Sequence, residues 1–421
     1  MSIFRRKSKK KGGKAEAELP SMLNRTLPNP LYDELPRRNS GLRRGGQAGF
    51  PAARGGKFWH EPKQPKPKRR WKKAILSLFI FLAVVAAGYG GWVGWKFVDN
   101  AEHIFGWRGL FSLFWPSHLK GEDTGRVNIL LAGDSSDDPG HQGADLTDSI
   151  MLVSIDTRNN TAYMLSIPRD LYVNIPGFGY AKINEAYQDG QSEHFNQPGY
   201  ATGGMGLLEE VVSQKFGVPV DYYALVDYTA FRDSVNAVGG ITVDINSPDG
   251  RLYDPNRDWT TGGPLVNLTN GEHHLSGEQA LDLARARGDP SQYGYPIGFE
   301  NSDYTRTANQ RMMLVALKDK ATSFGVLANP IRFGELLDSV GKNVKTDMSL
   351  GNARRLYNFS KKIPSSKVQS ASLNDANFSG QKDVDLLQSY GTPTGESALA
   401  PAAGLDNYTQ IDDYVQQLDD K

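Results

Sequence analysis

The sequence predicts an α/β domain with a mixed β-sheet flanked by helices, preceded by one membrane-spanning helix. Three observations predict it. Strand-length apolar runs alternate with helix-length periodic segments between residues 127 and 324. Two of those strands are joined by a short turn, so part of the sheet is antiparallel. An uncharged run of 22 residues stands ahead of them all, at 74–95. Strands interleaved with helices build layered α/β sheets, and a hairpin among them makes the sheet mixed.

The charge pattern divides the chain at that run. Net charge is +1, yet residues 1–73 carry 21 Lys and Arg against 5 Asp and Glu. From totals of 48 and 47, the remainder carries 27 against 42. Such asymmetry suggests two compartments, or a basic tail on an anionic surface. As a helix, 22 residues rise about 33 Å, against a hydrocarbon core of ~30 Å. Trp71, Trp92 and Trp95 flank the span as interfacial aromatics do, and KPKRRWKK directly precedes it. The positive-inside rule then puts the N-terminus in the cytoplasm and the rest outside. A leader of 73 residues is too long for the usual cleaved signal peptide.

This gives four expected segments. Residues 1–73 are a disordered basic cytoplasmic tail, rich in Gly, Pro, Lys and Arg, drawn to anionic headgroups rather than to nucleic acid. Residues 74–97 are the transmembrane helix. Residues 98–120, with Phe105, Trp107, Phe111, Phe114 and Trp115, form a juxtamembrane stalk. Residues 121–417 are the acidic, extracytoplasmic domain of a single-pass protein of the cell membrane. The chain has no cysteine, which excludes disulfides, thiolate catalysis and Cys-ligated zinc.

Within the domain, VNILLAG at 127–133 is a short apolar run closed by glycine, hence a buried strand. DSIMLVSID at 148–156 is a second strand. Arg158, Asn159 and Asn160 make a turn, and 161–168 returns as the hairpin partner. KINEAYQDG at 182–190 and MGLLEEVVSQKFG at 205–217 read as helices ending at glycine. DYYALVDY is a strand, TAFRDSVNAVGG a helix and ITVDI a strand. The adjacent His273 and His274 read as a loop. Ser276 opens the helix after it with a capping box to Gln279, and 303–324 is the longest helical segment.

Several common sites are missing: there is no GxxxxGK[ST], no HExxH and no GxSxG. Two adjacent histidines point to different sides and are a poor chelate. The glycines of ATGGMG at 201–206 could cradle a phosphate, but the start of a helix explains them as well. What remains is a set of arginines in odd places. Arg169 follows the strand end at Pro168. Arg285 and Arg287 stand two apart, sharing one side only if the chain is extended there, and Arg306 and Gln310 share a helical face at i, i+4. Carboxylates gather at Asp134, Asp137 and Asp138 after the first strand, and at Asp145 and Asp148 before the second. Oxygen ligands without His or Cys suit Mg²⁺ or Mn²⁺, and guanidinium forks suit phosphate. A cation and several arginines together are what a diphosphate needs.

Taken in order, VNILLAGD, TDSIMLVSID, LSIPRDLYVNIPG, KINEAY, VDYYALVDYTAF, AVGGITVDI, the RxR of 275–287 and DxxRxxxQR at 303–311 resemble the LytR-CpsA-Psr family over residues 126–350. The resemblance implies a cell-envelope phosphotransferase. It would move a glycopolymer from a polyprenyl-diphosphate carrier to a peptidoglycan hydroxyl, forming a phosphodiester, with Mg²⁺ or Mn²⁺. It also implies roles. Arg169, Arg285, Arg287 and Arg306 bind the diphosphate with Gln310, while Lys182 and Asn184 line the site. Asp148 holds metal, with Asp134 the favoured partner. An apolar tunnel takes the lipid, its wall candidates being Val153, Leu165, Tyr222, Met313 and Leu317. One departure stands out: Leu146 occupies the place of a usual arginine. A hydrolase of lipid diphosphates would use the same site with water as acceptor. A non-catalytic envelope regulator would tolerate the loss at Leu146.

Overall fold

In the computed structural model, residues 118–137, 146–258, 261–299, 302–323, 344–374, 376–378 and 380–420 are described. β1 (Arg126–Gly133), β2 (Ser149–Asp156) and β3 (Thr161–Ile167) form an antiparallel meander, with Leu130 opposite Leu152 and Leu152 opposite Leu165. A hairpin follows, β4 (Tyr172–Ile175) and β5 (Gly179–Lys182), then α1 (Glu185–Ser192) and α2 (Gly204–Phe216). β6 (Tyr222–Val226) returns parallel to β1. Next come α3 (Tyr228–Ala237), β7 (Ile241–Ile245), β8 (Arg251–Arg257), β9 (Pro264–Thr269), β10 (Gly271–Leu275), α4 (Gly277–Arg285) and α5 (Asp303–Ala321). The C-terminal part holds β11 (Val344–Thr346), α6 (Leu350–Ser360), β12 (Val368–Ser372), β13 (Ala376–Phe378), β14 (Gln381–Val384), β15 (Leu387–Gly391), β16 (Ser397–Pro401) and α7 (Thr409–Asp419).

The central sheet has the order β11-β6-β1-β2-β3-β12. It is mixed: β6 runs parallel to β1 and β12 parallel to β3, while the other pairs are antiparallel. One face presents Leu130, Ala132, Leu152, Leu165 and Ile167 to a core with Leu207 and Leu208 of α2 and Tyr414 and Val415 of α7. The other face is covered in two parts. Val127, Ile129 and Ile155 pack on Leu119, Phe359 and Ile363. A separate core, with Val243, Leu252, Leu275, Leu283 and Met313, joins β7 to β10 with α4 and α5. Each fully buried Leu or Ile removes enough apolar surface from water for roughly 1.5–3 kcal/mol.

The glycines of 201–206 serve close packing. A Cβ on Gly204 would lie 2.2 Å from the Tyr187 carbonyl oxygen, and one on Gly206 1.7 Å from that of Ala201. Only glycine lets α1 and α2 approach so closely.

Two expectations need correction. The segment 182–190 is not helical from its start: Lys182 pairs with Tyr172 in the β4–β5 hairpin, and Ile183 N donates to Leu171 O at 2.8 Å, so α1 begins only at Glu185. His273 and His274 lie in β10, paired with Val243 and Thr242 of β7, rather than in a loop. In addition, the residues beyond 343, to which the sequence pattern assigns no elements, must be added to the expected sheet, since they supply both its edges. The tail at 1–73, the membrane helix at 74–97 and the stalk, except residues 118–120, lie outside the described residues. Among the described residues no helix is long and apolar enough to cross a membrane.

Glu209 of α2 is 3% exposed and accepts from Ala201 N at 2.9 Å. Burial pushes its carboxyl up to about 7, the Ala201 bond opposing it in part. The folded state therefore holds a proton there that the unfolded chain releases near pH 4.5. The resulting penalty is absent below that pH, grows toward pH 7 and is complete above it. Glu209→Gln is expected to stabilise the domain by about 2–3 kcal/mol at pH 8 and far less at pH 5, read from melting curves at both pH values.

Candidate active site

The site forms where the β1–β2 ladder ends. Gly133 lies opposite Ser149 in the last register pair, so Asp134 and Asp148 leave the two strands side by side. Asp134 is 3% exposed; its Oδ1 accepts from the Ser136 hydroxyl at 3.0 Å, and burial still raises its pKa. Asp137 is engaged elsewhere, accepting from the amides of Tyr228 (3.2 Å) and Thr229 (2.7 Å) at the start of α3. Of these two, only Asp134 reaches the cavity. Asp138 and Asp145 lie outside the described residues.

Arg169 owes its place to Pro168. The proline ends β3, and a turn closed by Leu171 N to Pro168 O at 3.1 Å swings Arg169 toward the start of β2. There its Nη1 donates to Asp148 Oδ1. Burial works against the guanidinium charge, but Asp148 outweighs it and the pKa rises. The neighbouring Asp170 pairs with Lys182 Nζ at 3.1 Å. Asn184 is buried behind this turn, its amide donating to Arg169 O at 3.3 Å and its carbonyl accepting from Thr147 N at 3.4 Å. Lys182 and Asn184 thus stand behind Arg169, not on the cavity wall.

The other arginines come from across the sheet. α4 stops at Arg285, and Ala286 is extended (φ −62°, ψ 126°), so Arg285 and Arg287 both line the cavity. The Arg285 guanidinium lies 5.1 Å from the centroid of the Tyr228 ring. Arg306 and Gln310, one turn apart on α5, line the same cavity. Arg306 is 5% exposed; its Nη2 donates to Asp148 O at 3.0 Å and lies 2.6 Å from Asp303 Oδ1. Burial lowers its pKa; Asp303 opposes that, and the charges of Arg169 and Arg287 lower it further. The three guanidiniums are therefore close enough to repel. Gln310 is oriented from both ends, accepting from the Ser149 hydroxyl at 2.8 Å and donating to Ala284 O at 3.0 Å. Among the described residues, the buried Nε atoms of Arg169 and Arg306 have no hydrogen-bond partner. Leu146, half-buried two residues before Asp148, brings no cation.

The cavity measures about 420 Å³, within the range of small-ligand pockets. Its charged lining is Asp134, Asp148, Asp227, Asp254 and Asp289 with Arg285, Arg287 and Arg306; its apolar lining includes Leu131, Met151, Val226, Phe231, Met313 and Leu314. Of the five expected wall residues only Met313 lines it. Leu165 and Tyr222 are consumed by the cores on the two sheet faces, and Val153 and Leu317 pack against those cores. Among the described residues, no three His, Asp or Glu side chains gather as a metal cage. Asp134 and Asp148, leaving the paired ends of β1 and β2, offer an all-oxygen pair suited to a hard cation that draws its other ligands from a phosphate.

Sequence reasoning missed the residues that hold the RxR segment. Asp254 on β8 is 1% exposed; its Oδ2 accepts from Gly288 N at 2.9 Å and its Oδ1 from Asn256 Nδ2 at 2.8 Å. Asn256 Nδ2 also donates to Asp289 O at 3.2 Å. Together they clamp the chain just after Arg287. The run RLYDPNR carries no apolar period, so nothing local in the sequence marked Asp254 or Asn256.

Three guanidiniums set among carboxylates, in a cavity that also has an apolar wall, define an α/β protein built for a ligand with both charged and hydrophobic parts. The chain belongs to the LytR_cpsA_psr family, which residues 112–395 match. It is similar to the polyisoprenyl-teichoic acid–peptidoglycan teichoic acid transferase TagT of Bacillus subtilis (strain 168), 32% identical over 304 residues, 70% of this chain and 84% of that protein. The TagU transferase of Enterococcus faecalis is 30% identical over 285 residues, 67% of this chain and 79% of that protein. Among solved structures, TagT bound to LI-WTA superposes with a TM-score of 0.50 at 27% identity, covering 71% of this chain and 91% of that one.

Removing the clamp has a measurable consequence. Asp254→Ala leaves the Gly288 amide without its acceptor, at a cost of about 1–3 kcal/mol. Hydrogen exchange in the peptide 286–298 is expected to accelerate at least tenfold, beyond any change in the central strands. Equal acceleration everywhere would mean general destabilisation instead.

Proposed function

We propose that this protein transfers a glycopolymer from a polyprenyl-diphosphate carrier to a hydroxyl of peptidoglycan, leaving a phosphodiester. The observation that carries this reading is the cluster of Arg285, Arg287 and Arg306 lining the cavity, with Arg169 joined to it through Asp148. A diphosphate would take the guanidinium forks and offset the like charges of the arginines. The similarity to TagT and TagU, both named as transferases of teichoic acid from a polyisoprenyl carrier, points the same way.

In this mechanism the arginines bind the diphosphate oxygens and stabilise the charge that develops on the departing polyprenyl phosphate. The acceptor hydroxyl attacks the phosphorus bonded to the glycan; the new P–O bond forms as the bridging P–O bond breaks. The hydroxyl proton passes to a carboxylate at the cavity. Leu131, Met151, Val226 and Phe231 begin an apolar wall for the lipid, which continues as a tunnel. Asp134 and Asp148 hold Mg²⁺ or Mn²⁺, which when bound neutralises charge on the diphosphate. The uncharged run at 74–95 and its basic flank anchor the domain on the outer side of the cell membrane.

Each of Arg169→Ala, Arg285→Ala, Arg287→Ala and Arg306→Ala is expected to lower transfer on the order of 10²-fold, about 3 kcal/mol in the barrier, and double variants less than additively. Arg169→Lys is not expected to restore full rate, because lysine lacks the planar fork. Transfer of a labelled lipid-linked donor to peptidoglycan measures this, with the exposed Arg355 replaced by Ala as the comparison. Wild-type rates in the variants at 285, 287 and 306 would reduce them to ion-pairing residues.

Chelation tests the carboxylates. EDTA is expected to abolish transfer, Mg²⁺ or Mn²⁺ to restore it, and Asp148→Ala to remove the restoration. His273→Ala and His274→Ala should leave it intact, since both lie in β10. Full turnover in Asp148→Ala would sink the metal assignment.

A further inference from the structure

We propose that a row of tyrosines beside the Arg169 turn is the docking ledge for the acceptor glycan strand, taking sugar units other than the one that reacts. This rests on the transfer reading above and adds the surface on which the acceptor lies.

Tyr180, Tyr172 and Tyr390 stack in sequence, with ring centroids 5.8 Å and 5.4 Å apart and interplanar angles of 24° and 28°. The row crosses from the β4–β5 hairpin to β15 on the solvent side. Beneath it, Val173 and Ile175 are fully buried, so the core already has its apolar residues. Tyr180 ends the row and is 42% exposed, with one ring face taken by Tyr172. Tyr172 and Tyr390 are half-buried, so Tyr180 presents the open end of the row.

The ledge is continuous with the site. Tyr172 is opposite Lys182 in the hairpin register, and Lys182 pairs with Asp170, the residue after Arg169. The β15–β16 hairpin is tied to the same turn, Leu399 N donating to Asp170 O at 2.9 Å. Tyr180 is two residues along β5 from Lys182, about 7 Å by strand rise. A partner seated on the rings therefore reaches toward Arg169 from outside the cavity, the direction from which an acceptor must come. The rings are held before it arrives: stacking fixes their planes, and the Tyr180 hydroxyl donates to Asp406. Such preorganisation lowers the entropy cost of binding.

The chemistry selects a sugar chain over a lipid surface. A pyranose has apolar C–H faces and a polar rim. The open face of Tyr180 and the hydroxyl-bearing edges of the row match it, bordered by Asn174, Lys182, Asp170 and Asp406. Lys182 is already paired with Asp170, so the border offers no spare positive charge to hold anionic headgroups.

The full-chain protein in detergent micelles is titrated with purified, uncrosslinked peptidoglycan glycan strands, with no lipid-linked donor present, by calorimetry. Tyr180→Ala and Tyr390→Ala are each expected to weaken binding about tenfold. Tyr180→Phe keeps the ring and should lose far less. Melting curves confirm that the variants are folded. Unchanged affinity in both alanine variants, or no glycan binding by the wild-type protein, overturns the proposal. So does loss of binding to phosphatidylglycerol vesicles instead of glycan. With no donor present the result is independent of phosphoryl transfer, which Arg285→Ala tests separately.

Discussion

Like charges must be brought together in this site before any ligand arrives, and Asp148 is what makes that tolerable. Its carboxylate takes the Arg169 guanidinium and its carbonyl takes Arg306. Arg306 is almost wholly buried and feels both Arg169 and Arg287 as repulsive neighbours. Isolated, a buried guanidinium costs several kcal/mol in lost hydration. Here Asp303, 2.6 Å away, and the Asp148 carbonyl, at the rigid end of a β ladder, return part of that cost. The cavity they border carries both signs of charge, with Asp134, Asp148, Asp227, Asp254 and Asp289 among Arg285, Arg287 and Arg306.

α5 fixes the distance across which this set works. Arg306 and Gln310 face the cavity, while the adjacent Arg311 turns to the sheet and donates to the hydroxyls of Ser166 on β3 and Ser370 on β12. Arg311 is buried and has hydroxyls rather than a carboxylate as hydrogen-bond partners, and desolvation pulls its pKa down to about 10. The same helix therefore spans the cavity and is bolted to two strands. Gln310 adds a strut to Ser149 and to the end of α4. The helix end that carries Arg285 is thus tied to the helix that carries Arg306 by a hydrogen bond instead of by a loop.

Much of this was legible in the sequence where local pattern and final structure agree. The β1, β2 and β3 meander, α2, α3, the capped α4 and α5 follow from apolar period and punctuation. The i, i+4 spacing of Arg306 and Gln310 and the break between Arg285 and Arg287 are also local properties. What stayed hidden depends on contacts distant in sequence. β11 has three residues and β12 five, too short to stand out, and each is a strand only because β6 or β3 offers an unpaired edge. Lys182 looked helical because the hairpin register that makes it a strand residue is set ten residues earlier. Asp254 and Asn256 clamp a loop more than thirty residues on. Their polarity was visible; their partner was not. Leu165 and Tyr222 carried the right hydrophobicity for a cavity wall, but the pleat sends them into the cores.

The last helix closes on the first strand. Arg126 Nε meets Asp419 Oδ1 at 3.1 Å, and α7 seals the core beneath the sheet. The tie joins positions 293 residues apart. Such distant pairings make folding slow, because the loop must close before the contacts can repay it. A chain synthesised only as far as β3 has β1, β2 and β3 exposed long before β12 and α7 exist to cover them. Sealing of the core is thereby coupled to synthesis as far as α7: a product cut before residue 409 would leave Leu130, Leu152 and Leu165 without Tyr414 and Val415 over them, an open face for proteases.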